Sequence, residues 1–275
     1  MAEPWRGATS RGEALGPDAV GSPDGPFSFP WDAPTVPPFP IGFRDVTILT
    51  ICWRTDPAAI DRLLPPPLER LGDVVVAHVY RMGDVDFMGS VHECNVMVGA
   101  RFRGQGGDEI GGYSPYLFLD SEVGVVHGRE VHGQPKKLAT VELSTRGDLV
   151  VGRVERNGID VLTATLPYKQ RRADAAALRA HFDFTENFNY KVVPGIDGAP
   201  AIRQLTARRL SDLRIDECWS GPCTVELRPN AQAPVAKLPV LEALDGFLWT
   251  CEFTLVAGRV LHDYLAPASA AGDAS

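Results

Sequence analysis

The chain has 275 residues, 44% of them hydrophobic and 23% charged, the proportions of a soluble globular protein long enough to bury a large core. Its formal charge of -8 argues against a nucleic-acid partner, whose binding rests on basic groups neutralising phosphates, and against an anionic membrane surface. No run approaches the ~20 apolar residues that span a bilayer, and no apolar core of a signal peptide stands near the N-terminus, so a cytoplasmic location is expected.

Residues 1–40 are dense in Pro, Gly, Ser and Ala and carry neither a helical nor a strand period. They read as a flexible or strap-like extension that Trp5, Phe27, Phe29, Trp31 and Phe39 pin to a surface, a neighbouring subunit's included. Residues 41–266 read as one domain and 267–275 as a disordered tail. VTILTIC (Val46 to Cys52) has strand character; Asp56-Pro57 then opens a short helix through Leu64, with Asp as N-cap and Pro at the first helical position, and Pro65, Pro66 and Pro67 stop it. VVVAHVY (Val74 to Tyr80), CNVMVGARF (Cys94 to Phe102), YLFLDSEVGVV (Tyr116 to Val126), LATVEL, DLVVGRVE (Asp148 to Glu155) and IDVLTATL (Ile159 to Leu166) are alternating or β-branched runs bounded by turn residues. Asn157-Gly158 predicts a tight hairpin turn between the last two.

RGQGGDEIGGY, with Gly104, Gly106, Gly107, Gly111 and Gly112, lacks the Gly-Lys-Ser/Thr ending of a phosphate loop and reads as a flexible loop. RRADAAALRAHF (Arg171 to Phe182) has the alanine content of a helix. RQLTARRLSDLRIDECW, CTVELR and FLWTCEFTLVAGRVLHDYL return to strand patterns. The expected class is therefore α+β, mainly antiparallel β, as a barrel or sandwich with helices outside.

Five cysteines set in apolar runs read as reduced core thiols, without the paired spacing of a zinc site. His78 alternates with Val76 and Tyr80, which leaves open a core histidine and a pocket acid or base. His92 adjoins Glu93 but points to the other strand face. His127, His132, His181 and His262 show no ligand spacing, and no metal site is expected.

GREVHGQPKKLATVEL (Gly128 to Leu143) holds the adjacent lysines Lys136 and Lys137 in a chain with five lysines against twenty-two arginines. A lysine amine, with an ordinary pKa of ~10.4, attacks a ketone only after losing its proton, so a nucleophilic role requires desolvation or a like charge nearby. On a strand the two side chains diverge to opposite faces, ~8 Å apart, where their repulsion is about 2 kcal/mol at an effective dielectric of about 20. Desolvation has the larger reach, so burial of one lysine should dominate and the other should be secondary.

GREVHGQPKKL resembles the lysine-pair signature of the acetoacetate decarboxylase family. The likeness continues upstream in WRTDPAAIDRLLPPPLE and YLFLDSE and downstream in VLTATLPYK, DECWSGPCTVEL, APVAKLPV and VLHDYL, in order from Arg44 to about Leu265. The resemblance implies a cone-shaped antiparallel β-barrel with outer helices, a homo-oligomer, a small oxo acid substrate and a Schiff-base mechanism that uses no cofactor. It makes Lys136 the nucleophile, activated as acetoacetate decarboxylases are known to activate theirs. Lys137 takes a supporting role, and Glu93, in GSVHE, is the essential glutamate. Arg44, His78 and Tyr116 are candidate substrate contacts. His78 stands where the family has a second pocket carboxylate and Val91 where it has a pocket tyrosine. The family's active-site arginine falls on Val46, two residues from Arg44. The implied function is a carbon-carbon lyase that decarboxylates through an imine. The alternatives are an aldolase, dehydratase or cyclase on a bulkier oxo acid, and a barrel that only binds a small ligand.

Overall fold

Strands dominate the computed structural model, which describes residues 21–22, 25–26, 28–30, 32–104, 107–179 and 186–266. After a two-residue pairing of Gly21–Ser22 with Gly25–Pro26, the first long strand, β1, spans Ile41–Arg54 and leads through α1 (Pro57–Asp61) to β2 (Leu68–Val85), β3 (Gly89–Gly104) and β4 (Gly107–Leu119). A helix, α2 (Glu122–His127), runs on into a single π-helical turn (Gly128–His132), and β5 (Lys136–Leu138) follows. Next come β6 (Thr140–Arg146), β7 (Leu149–Arg156), β8 (Ile159–Pro167), α3 (Ala175–Arg179), β9 (Glu186–Pro194), β10 (Pro200–Pro222), β11 (Thr224–Leu227), β12 (Asp245–Leu255) and β13 (Arg259–Asp263).

The pairings follow a ring. β1 pairs antiparallel with β2, β2 with β3 and β3 with β4. β4 pairs in parallel with β9, β9 antiparallel with β10, β10 with β12, and β12 returns to β1. A second, four-stranded antiparallel sheet is made of β6, β7, β8 and β11.

Because side chains alternate across a strand, the large sheet buries both faces. One face sets Leu49, Ile51, Ala77, Val79, Val96 and Phe118 against Val141, Val150, Val154 and Leu162 of the small sheet. The other gathers Val46, Ile48, Met82, Val91, Leu117, Leu119, Trp249 and Cys251. The five cysteines are free; Cys52, Cys94, Cys218 and Cys251 are buried, and burial pushes the Cys52 thiol up to about 12. Among the described residues no helix is long and apolar enough to cross a membrane.

Local signals explain most element ends. Asp56 caps α1 by accepting from the Ala58 amide at 3.0 Å. Asn157 and Gly158 both have positive φ, 56° and 77°, as the tight hairpin turn requires.

Several expectations change, the first being that α1 ends at Asp61, short of the expected Leu64. The Tyr116 to Val126 run is not one strand: β4 ends at Leu119, and Ser121 caps α2 by accepting from the Gly124 amide at 3.1 Å. The capping serine, with Glu122 in the first turn, outweighs the strand preference of Val123, Val125 and Val126. The Arg171 to Phe182 run pairs Arg171 and Arg172 with Ser220 and Trp219, and among its described residues Ala175–Arg179 is the helical part, capped by Asp174 at the Ala177 amide, 2.7 Å away. Ala180, His181 and Phe182 lie outside the described residues. The glycine-rich stretch is largely strand, β3 running to Gly104 and β4 starting at Gly107; a Cβ on Gly111 would sit 2.8 Å from the Glu186 carbonyl oxygen, so glycine there permits close strand approach. Of the aromatic side chains expected to pin the extension, Trp5, Phe27 and Trp31 lie outside the described residues, Phe29 is exposed and Phe39 packs inward.

Candidate active site

Register alone brings the first group of polar side chains together. One cross-strand row reads Thr50, His78, Asn95, Leu117, Lys136, and the next reads Ile48, Tyr80, Glu93, Leu119. Residues in such rows share one face of the sheet, here the face of the second apolar cluster. β4 makes this possible by pairing with β9 at Gly112 and Tyr113 and with β5 at Leu117 to Leu119. The segment from Asp120 to Pro135 leaves the sheet and re-enters it as β5, which delivers Lys136.

The Lys136 Nζ lies 2.9 Å from Glu93 Oε2, and the two side chains are only 11% and 12% exposed. Gly128 forms the wall behind the lysine stem: a Cβ there would press on Lys136 Cδ, stand 2.7 Å from Lys136 Cε and lie 2.9 Å from the Gln134 side-chain amide. The π-helical turn closes on Gly133, whose φ of +78° suits glycine and whose amide donates to the Gly128 carbonyl. Arg129 donates from Nη1 to the Lys136 carbonyl at 3.3 Å, so it supports the lysine segment.

The same turn brings together two histidines five residues apart. The rings of His127 and His132 stand 5.5 Å apart and both pack on Phe39, at 5.2 and 5.3 Å. Burial first, then the nearby charges of Lys136 and Arg208, push His127 down to about 3. Burial, then Arg208 before the other neighbours, takes His132 to about 2. Both rings are neutral at neutral pH.

Arg208, on β10, is the unforeseen member. With the Gln134 amide turned so that Oε1 faces the guanidinium, Gln134 accepts from Arg208 Nε at 2.9 Å and Nη2 at 3.2 Å. Desolvation lowers the Arg208 pKa, against the opposing pull of Glu93, Tyr80 and Glu186. Burial raises the Tyr80 phenol, and Glu93 raises it further.

The expected site residues divide. Lys136 and Glu93 meet. His78 shares their face; it is fully buried, its Nδ1 is hydrogen-bonded to Thr50 Oγ1 at 2.8 Å, and Trp249 Nε1 donates to that hydroxyl at 2.9 Å. Burial pushes His78 down to about 3, so it brings no charge in place of the family's carboxylate. Lys137 lies on the opposite face, donating to the Gln232 carbonyl at 2.6 Å, and desolvation lowers its amine.

Tyr116 is separated from Lys136, because its neighbour Leu117 occupies the site face and Tyr116 packs into the core between the two sheets. Arg44 is also held elsewhere: its Nε and Nη2 each lie 2.6 Å from the carboxylates of Asp84 and Asp86, at the exposed end of its strand. Val91 and Val46 are buried on the site face as apolar lining. Sequence reasoning passed over Tyr80, Gln134, His127, His132 and Arg208. The signal for Arg208 was the adjacent Arg208-Arg209 pair on a strand, which must send one guanidinium to each face; Arg209 goes outward to Glu186 at 3.1 Å. Among the described residues no group of three or more His, Cys, Asp or Glu side chains is placed to hold a metal ion.

The chain is similar to known proteins along nearly its whole length. The family model described as acetoacetate decarboxylase matches residues 24–265. The acetoacetate decarboxylase of Chromobacterium violaceum is 38% identical over 239 residues, which is 87% of this chain and 95% of that one. Acetoacetate decarboxylase 2 of Mesorhizobium japonicum is 37% identical, covering 87% and 90%. The crystal structure of acetoacetate decarboxylase from Legionella pneumophila superposes with a TM-score of 0.81 at 34% identity, covering 87% of this chain and 95% of that one. With this match and with Lys136 and Glu93 in contact, the chain belongs to the acetoacetate decarboxylase family.

Proposed function

We propose that this protein is a Schiff-base-forming decarboxylase of a β-keto acid, with acetoacetate the first substrate to test. The observation that carries the reading is the enclosed contact of Lys136 Nζ with Glu93 at 2.9 Å. The Lys136 amine attacks the ketone carbon, and loss of water gives an iminium. The bond to the carboxylate then breaks, its electron pair passes into the iminium to form an enamine, and carbon dioxide leaves. Protonation of the enamine carbon and hydrolysis of the imine release the ketone and restore the amine. Glu93 accepts the proton the amine sheds and steadies the iminium that follows, since a fixed carboxylate beside a developing cation needs no reorganisation in a site with little water.

The cone-shaped barrel belongs to the same reading. We infer it from the ring of pairings that leaves β1 and returns to it, with residues 41–266 as one folding unit. Exposed apolar side chains such as Leu138, Ile196, Leu241 and Val260 favour burial between copies in a homo-oligomer. The test of function is reduction with sodium borohydride in the presence of acetoacetate, together with carbon dioxide release. A mass adduct on Lys136 that is absent from Lys136→Ala, with turnover lost in the same variant, is the expected result. Absence of any adduct on the wild-type protein with a panel of keto acids refutes it.

A further inference from the structure

We infer that Arg208, set in place by Gln134, is the group that binds the substrate carboxylate, the task that the sequence suggested for Arg44. The inference rests on the Schiff-base reading above and concerns which cation of this chain completes it. Arg44 is unsuited, because its guanidinium is committed to Asp84 and Asp86. Arg208 differs from it in two ways. Among the described residues it takes part in no ion pair, while the neighbouring Arg209 is matched to Glu186 at 3.1 Å. Its contact with Gln134, at 2.9 and 3.2 Å, uses a neutral acceptor that occupies Nε and Nη2 and leaves its charge uncompensated.

The charges around the lysine point the same way. Glu93 is the carboxylate in contact with Lys136, and it also lies within electrostatic reach of Arg208. Glu186 is already matched to Arg209 and to Arg259, the latter at 2.7 Å. His78, His127 and His132 are neutral, and Tyr80 keeps its proton. Two cations therefore face one carboxylate in a poorly hydrated site, a surplus that a single bound anion removes. The sequence neighbour of the nucleophile fixes the geometry: Gln134 lies two residues before Lys136, and its carbonyl accepts from the Lys136 amide at 2.8 Å. The residue that holds Arg208 is thus tied to the backbone that holds the amine. A guanidinium matches a carboxylate through paired N–H donors.

A contact with the carboxylate binds the ground state, in which that charge is whole, so it governs KM more than kcat. The experiment compares acetoacetate with acetone, a ketone that forms the imine but carries no carboxylate, using borohydride trapping and turnover in wild type, Arg208→Gln and Arg208→Lys. For Arg208→Gln the expected result is a rise of about 10- to 100-fold in KM for acetoacetate with kcat changed far less, from loss of a charged hydrogen bond. Half-saturation of trapping by acetone should stay at the wild-type value, which also reports an intact site. Arg208→Lys should fall between the two. If both variants lose acetone and acetoacetate trapping together, or if both leave KM unchanged, Arg208 is not the carboxylate anchor. Failure of wild type to trap either ketone would instead sink the Schiff-base reading itself.

Discussion

Gly128→Ala offers the most direct test of how Lys136 is held. Gly128 has φ -62° and ψ -42°, an ordinary helical conformation, so the substitution carries no backbone strain and gains about 1 kcal/mol of helix propensity. The added Cβ presses on Lys136 Cδ and meets Lys136 Cε at 2.7 Å and the Gln134 side-chain amide at 2.9 Å, all on side chains that can yield. Relief to an ordinary contact withdraws the lysine stem by about 1 Å, and a misplacement of that size at a reacting group costs about 100-fold in rate. The strain of an extra methyl in a packed site is about 1 to 3 kcal/mol, largely relieved by that movement and offset by the propensity gain. The expected variant is therefore folded, with a melting temperature within a few degrees of wild type, and about 100-fold slower in acetoacetate turnover and borohydride trapping. Wild-type turnover in the folded variant would refute the placement of Lys136 against this glycine. A large fall in melting temperature would refute the claim that the lysine, and not the backbone, gives way.

Other outcomes follow from the charges and contacts. His78, His127 and His132 are pushed down to about 3, 3 and 2 when folded, from 6.5, so the unfolded chain binds more protons in the window between. Their neutral burial is then compatible with full stability above pH ~6.5, and stability falls as the pH drops below it, by up to about 4 kcal/mol per pH unit for the three together. Thermal melts from pH 7 to 5, where most carboxylates stay ionised, should show the decline, and a flat profile would refute neutral burial. Lys137→Ala removes the contact with the Gln232 carbonyl and should cost about 1 kcal/mol of stability while retaining turnover within about tenfold; loss equal to that of Lys136→Ala in a steady-state assay would show that the second lysine is part of the chemistry. Arg44→Ala breaks partly exposed ion pairs and should lower stability by at most about 1 kcal/mol with KM for acetoacetate unchanged, whereas a raised KM would restore it as the substrate anchor.

Much of the architecture was legible along the chain because strands, caps and tight turns are written in local residue types. The alternation around Val46 to Cys52 and Val74 to Tyr80, the Asp56-Pro57 helix start and the Asn157-Gly158 turn all describe near neighbours, and all have counterparts in the structure. The same alternation predicted that Lys136 and Lys137 diverge, and they do, one toward Glu93 and the other toward Gln232. It misled where competing local signals had similar strength, as at Ser121, whose cap turns a valine-rich run into α2.

The strand-rich class, the family and the lysine that ends up enclosed could all be read from residue order. Tertiary structure decided what surrounds that lysine. The meeting of His127 with His132 depends on a π-helical turn, whose wider winding brings together residues five apart that an ordinary helix would separate. Arg208 reaches Gln134 only because β10 joins β9, β9 joins β4, and β4 carries β5 along its remaining length. Those contacts link segments far apart in the chain, and no local period encodes them; they follow from closure of the pairing ring, which puts the guanidinium on the side of Lys136 and leaves Arg44 outside with its aspartates.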